Sequence, residues 1–184
     1  MIENPISKPR LLFLSDIWGV AKSKWIEYYV LSLSPYYDLH YYDVCELAKI
    51  DTTICLVEGL HQQFINGGIE RVVNQILELE RDSVIILGFS IGGLIGWQAA
   101  LQNLNISSLI AVSSTRLRYE SQKPSAEINL YYGALDLYVP NPSWFEKFEI
   151  EPHIYSSESH EMYQKPEVAK DICNRIIRFS TNDF

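Results

Sequence analysis

Val84-Ile85-Ile86-Leu87-Gly88-Phe89-Ser90-Ile91-Gly92-Gly93-Leu94-Ile95 is the stretch on which the fold turns. Four aliphatic residues in a row suit a strand buried on both faces, Gly88 to Gly92 a sharp turn, and the apolar segment from Gly93 a buried helix. A glycine-x-serine-x-glycine turn between strand and helix is the context of a nucleophile elbow. A side chain at 88 or 92 collides with neighbouring backbone in so tight a turn, and the serine adopts an unusual conformation that makes its hydroxyl project. The following helix aims backbone N–H groups and its positive dipole end at that hydroxyl. A purely structural glycine turn accounts for the five residues alone; the strand before and the helix after them favour the nucleophile.

The charge-free run around this motif extends from Ser83 to Thr115, and Val84 to Leu101 approaches the length of a membrane span. Gly88, Gly92, Gly93 and Gly96 divide it into strand, turn and helix, so no span is expected. Outward from it, the pattern predicts strands at 11–14, 37–44, 107–112, 127–133 and about 152–156, besides the one at 83–89. Helices are predicted at 20–33, ended by Ser34-Pro35, at 69–80 after Gly67-Gly68, at about 92–103, and from Pro166 to Phe179. Residues 45–68 carry only weak periodicity. The alternation of strand and helix predicts an α/β/α three-layer sandwich on a mostly parallel sheet of about six strands, with reactive groups at the carboxyl ends of the strands. At 184 residues the chain is expected to form one domain, with its core at about 9–180.

Composition narrows the function. Apolar residues at 47% and charged residues at 21% suit a globular protein. Fifteen Lys plus Arg against twenty-three Asp plus Glu leave a net charge of −8, which repels nucleic acid and anionic lipid surfaces. Cys45, Cys55 and Cys173 form neither a disulfide framework nor a zinc pattern, and no metal is expected. The apolar run after Lys8 and Arg10 is too short for an export signal, so the expected location is the cytoplasm. The glycines at 88, 92 and 93 match no phosphate-binding loop, and no cofactor is expected.

A serine hydroxyl needs a base, normally a histidine oriented by a carboxylate. His40 and His153 lie in strand patterns and read as packed or surface residues, and His61 reads as a loop residue able to line a pocket. His160 follows the last strand directly and precedes the last helix, a position from which a base reaches the carboxyl edge of the sheet. Asp136 lies just past the 127–133 strand, and together the three give the chain order Ser90, Asp136, His160. The paired tyrosines fall in helix and strand patterns and read as packing residues.

With these residues the chain resembles a small member of the α/β-hydrolase superfamily: Gly88 to Gly92 as the elbow, Gly133-x-x-Asp136-x-x-Val139-Pro140 as the acid loop and His160 as the base. The resemblance covers about residues 9–180. It implies a minimal form of the fold that lacks the two N-terminal strands of the typical eight and any separate cap domain, with only residues 45–68 or 114–126 to cover the site. It also implies an oxyanion hole made by the N–H groups of Ile91 and Ile17. The loop Ser15-Asp16-Ile17-Trp18-Gly19 lacks the His-Gly pair of lipases and is similar to the turn of dienelactone-hydrolase-like members. Trp18 is expected to wall an acyl pocket. Asp16 is expected beside it, either as a residue that satisfies local backbone or as one that influences His160.

The expected function is thus a serine hydrolase, of the carboxylesterase or thioesterase type, that cleaves a small-molecule ester or thioester through an acyl-enzyme. The alternative is an inactive hydrolase-fold protein that binds a ligand or a protein. Transfer of the acyl group to an acceptor other than water stays open within the enzyme reading.

Overall fold

Along the first strand, Leu11 and Phe13 join one buried cluster and Leu12 and Leu14 another, so the two faces of the sheet are both covered. This is the period-two pattern of a strand enclosed on both sides. The computed structural model describes residues 8–54 and 56–181. Its sheet has six strands, all parallel: β1 (Arg10–Leu14), β2 (Asp38–Tyr42), β3 (Val84–Phe89), β4 (Ile106–Val112), β5 (Glu127–Gly133) and β6 (His153–Tyr155), in the order β2-β1-β3-β4-β5-β6. Each lies within about two residues of its expected bounds, a margin usual for element ends.

The helices are α1 (Ile26–Leu33), α2 (Val44–Ala48), α3 (Val57–Gln63), α4 (Ile69–Leu79), α5 (Ile91–Leu101), α6 (Pro142–Phe148) and α7 (Pro166–Thr181). On one face Tyr29 and Leu33 of α1 and Ile172 and Cys173 of α7 pack on Leu11, Phe13, Leu87 and Phe89. On the other, Val72, Val73 and Ile76 of α4, Trp97 of α5 and Phe145 of α6 pack on Leu12, Ile86, Leu109 and Tyr132. The charge-free stretch divides as expected into β3 and α5. Among the described residues no helix is long and apolar enough to cross a membrane.

Three local expectations are corrected. The helix expected over 20–33 is a short 3-10 turn at Val20–Lys22 followed by α1, because Ser23 interrupts it by bonding back to the Gly19 carbonyl at 2.5 Å. Residues 45–68 fold as α2, α3 and a kinked turn at Phe64–Gly68, with α2 capped by the Asp43 carboxylate, which accepts from the N–H groups of Cys45 and Glu46. Helix α6 was not expected; Asn141 caps it, and Pro142 occupies its start. Cys45 and Cys173 are free and buried, and Cys55 lies outside the described residues.

Candidate active site

The strand order reverses direction between β1 and β3: the chain goes outward from β1 to β2 and returns to the other side of β1 to form β3. A crevice opens where neighbouring connections diverge in this way, at the carboxyl ends of the strands. The loop after β1, Ser15 to Gly19, and the turn after β3, which carries Ser90, therefore meet. They meet closely: a Cβ on Gly92 would lie 2.5 Å from the Ser15 carbonyl oxygen, and one on Gly88 would lie 2.5 Å from the Gly93 nitrogen. Ser90 takes φ 50° and ψ −113°, a strained conformation for a residue with a side chain, and its N–H donates to the Val112 carbonyl at 2.8 Å. Ile91 is the first residue of α5, so its N–H has no acceptor within the helix.

The other two candidate residues come from neighbouring loops at the far side of the sheet. The loop after β5 is tied to the loop after β6 by two backbone bonds, Ala134 N–H to the Tyr155 carbonyl and Leu135 N–H to the Glu158 carbonyl, each 2.9 Å. These bonds set Asp136 opposite His160. The Ser90 hydroxyl lies 3.0 Å from Nε2 of His160, and Nδ1 of His160 lies 2.6 Å from Oδ2 of Asp136. The other Asp136 oxygen accepts from the Tyr138 N–H at 3.0 Å. The Asp136 side chain is nearly enclosed, whereas the His160 ring is about a third exposed. Burial pushes the Asp136 carboxyl up, but the bonds from His160 and from the Tyr138 N–H outweigh it and hold the group below its ordinary value. With Nδ1 donating its proton to the carboxylate, Nε2 is left to accept from the serine.

Ser90, His160 and Asp136 line a cavity of about 610 Å³ together with Ile17, Ile91 and Trp18. The N–H-bearing residues expected to form an oxyanion hole thus border the same space as the serine. Asp16, expected in the pocket, is not on this lining. Its side chain is turned beneath the loop, where Oδ1 accepts from the Trp18 N–H at 2.9 Å and Oδ2 accepts from the Tyr163 hydroxyl at 3.0 Å. Burial raises the Asp16 carboxyl above its ordinary value, against the two hydrogen bonds and the nearby His160. Asp16 braces the loop that carries Ile17, since a short acidic side chain readily bonds backbone two residues on.

Both segments named as possible covers reach the cavity: Val57, Glu58 and His61 from α3, and Thr115, Arg116 and Arg118 from the turn after β4. His61 faces the cavity, and the two arginines were not anticipated at all. Their only signal in the sequence is a pair of cations, two residues apart, just past a strand's carboxyl end. His40 lies on β2 and bonds Asp38 at 2.9 Å, and His153 stacks on Tyr131, so neither approaches the site. Of the paired tyrosines, Tyr29, Tyr37, Tyr131 and Tyr132 are buried, while Tyr28 and Tyr36 are exposed.

No family model and no curated protein matches the sequence. Solved structures do match. A protein from Xanthomonas campestris, presented as a candidate hydrolase of the alpha/beta superfamily, superposes with a TM-score of 0.67 at 13% identity over 93% of this chain and 99% of its own. A dienelactone hydrolase from Anabaena variabilis gives 0.62 at 16% identity, over 94% and 85%. A structure from work on the carboxylesterases of Nitrososphaera gargenis gives 0.60 at 14%, over 98% and 93%. At such identities the likeness speaks for architecture alone, and it establishes that this chain has the α/β-hydrolase fold.

Proposed function

We propose that this protein is a serine hydrolase that cleaves a small carboxylic ester or thioester through an acyl-enzyme. The observation that carries the reading is the unbroken relay from Ser90 through His160 to the enclosed Asp136, bordering a cavity that also receives Ile17 and Ile91. Ser90 Oγ attacks the carbonyl carbon of the substrate while its proton passes to Nε2 of His160. Asp136 fixes the tautomer and stabilises the imidazolium. The N–H groups of Ile91 and Ile17 receive the negative charge that develops on the carbonyl oxygen. Collapse of the tetrahedral intermediate breaks the bond to the leaving group, which takes the proton from His160 and leaves the acyl group on Ser90. Water then attacks the acyl-enzyme with His160 as base, and release of the carboxylic acid restores the serine.

The acidic net charge supports a small-molecule substrate rather than a nucleic acid, and the two buried free thiols support a reducing, cytoplasmic setting. The test needs no knowledge of the substrate. A fluorophosphonate is expected to label wild-type protein once, on Ser90, and to label neither Ser90→Ala nor, at any comparable rate, His160→Ala, read by intact and peptide mass. Absence of labelling in folded wild-type protein overturns the enzyme reading and favours a binding module. Product analysis with added alcohols or amines separates hydrolysis from acyl transfer.

A further inference from the structure

We propose that the cavity beside Ser90 contains an anion subsite built on Arg116 and supported by Arg118, so that the substrate carries a carboxylate or phosphate group away from its scissile carbonyl; this rests on the hydrolase reading above. Both residues lie on the 3-10 turn Thr115–Tyr119, three residues after β4 ends. The same β4 end accepts the N–H of Ser90, which keeps the turn beside the elbow.

Among the described residues neither guanidinium is paired with a carboxylate, in a chain of net charge −8. Arg118 spends its donors on neutral acceptors, the Thr115 carbonyl at 2.8 Å, the Tyr138 carbonyl at 3.4 Å and the Tyr119 hydroxyl at 2.9 Å. Arg116 is less satisfied: its Nε is buried with no partner, and Nη1 reaches only His61 Nε2, at 3.5 Å. The Nε is shielded from solvent, so a ligand oxygen meets the guanidinium at its Nη groups, where a charge-assisted bond has no carboxylate to displace. The ring of Tyr119 lies 5.2 Å from the centre of the Arg116 guanidinium and 4.3 Å from that of Arg118, which holds both forks in place before a ligand arrives.

Asp136, Glu161 and Glu58 line the same cavity, and none of them forms an ion pair with either guanidinium. Asp136 is committed to His160 and the Tyr138 N–H, and Glu161 accepts from the Ser159 hydroxyl at 3.4 Å. Glu58 is exposed, in the first turn of α3. His61, whose Nε2 lies 3.5 Å from Arg116 Nη1, is held below its ordinary pKa by burial and by the two arginines, and its ring offers a further donor to a bound anion. A guanidinium fork suits either a carboxylate or a phosphate, because both present paired oxygens at matching spacing.

The test compares p-nitrophenyl esters of matched chain length that end in a methyl, a carboxylate or a phosphate. Wild type is expected to favour one anionic ester over the neutral one in kcat/KM by about tenfold or more, and the better arm names the anion. Arg116→Gln is expected to lower turnover of that anionic ester about tenfold more than turnover of the neutral one. Arg116→Lys, which keeps the charge and loses the fork, is expected to fall between them and carries the comparison if Arg116→Gln does not fold. No anionic preference in wild type, or the same preference in both variants, overturns the subsite. Ser90→Ala titrated with glutarate and with inorganic phosphate reads the subsite without chemistry. Saturable binding there, weakened about tenfold by adding Arg116→Gln, supports the subsite even if no ester is cleaved, so its failure and that of the hydrolase reading are distinguishable.

Discussion

Gly133 lies outside the reacting groups, yet it controls where two of them meet. It ends β5, and a Cβ placed on it would lie 2.5 Å from the carbonyl carbon of Glu158 and 2.6 Å from the carbonyl oxygen of Ser159, both backbone atoms of the loop that delivers His160. The Glu158 carbonyl oxygen is nearer still, and ordinary van der Waals contact begins near 3.4 Å, so Gly133→Ala must push that loop outward by about 1 Å or more. The displacement falls on bonds with no slack, 2.6 Å between His160 and Asp136 and 3.0 Å between His160 and Ser90. Misplacement of a catalytic group by about 1 Å costs about 100-fold in rate, or about 2.7 kcal/mol of barrier. Expected outcomes are a kcat/KM for a p-nitrophenyl ester and a fluorophosphonate inactivation rate both down by about two orders of magnitude in a protein that still folds. In parallel, the low-field proton signal of an imidazole bound to a carboxylate is lost or shifted in the variant. Activity within about threefold of wild type in folded Gly133→Ala refutes the claim that this contact sets the relay.

Two further outcomes follow from the charges. Because Asp136 has a lowered folded pKa, its contribution to stability is fully present above its ordinary value of 3.8 and is lost as pH falls through the folded value. Asp136→Asn is therefore expected to be less stable than wild type by about 1–2 kcal/mol at pH 7 in urea unfolding, with the gap closing below pH 3.8; a gap that stays constant on acidification contradicts this. At the opposite end of the sheet, Glu80 is almost enclosed and accepts from Arg10 Nε at 2.7 Å and Nη2 at 3.0 Å, and from the Tyr42 hydroxyl. Glu80→Gln is expected to cost about 2 kcal/mol of stability while leaving kcat of the folded fraction unchanged, and a matching loss of kcat would tie that end of the sheet to the chemistry.

The parts of the chain legible from residue pattern were those whose burial is decided by their own sequence. The β3–α5 stretch is one, since a charge-free run split by glycines has few ways to be buried, and it places the serine without reference to anything else. Asp136 and His160 were legible because each follows a strand directly, so parallel topology delivers both to the same edge. The helices between β2 and β3 were not, because α2 is five residues long and owes its existence to a cap from Asp43, and α3 leaves Val57 and Glu58 exposed toward the cavity. Helix α6 was not read from the pattern, because it is seven residues long and its signals, a cap at Asn141 and a proline at its start, also suit a turn. Asp16 was half legible: its bond to the Trp18 N–H is the local backbone role its residue type suggests, but its absence from the cavity lining depends on Tyr163, 147 positions away. Arg116 and Arg118 matter through their neighbours on α3 and the acid loop, contacts only the tertiary structure creates.

The proposed nucleophile and its proposed base hang from very different parts of the sheet. Ser90 follows the third of six strands, flanked on both sides, whereas His160 follows β6, a three-residue strand at the margin with Ile154 half in solvent. Sub-global opening starts where backbone bonds are few and wet, so amide hydrogens of residues 153–160 exchange through small fluctuations while those of 84–95 wait for global unfolding. On warming, the histidine is therefore expected to leave the serine before the sheet melts. Loss of fluorophosphonate labelling is then expected at a lower temperature than loss of the circular dichroism signal, and to reverse on cooling, because what comes apart first is the margin and not the centre.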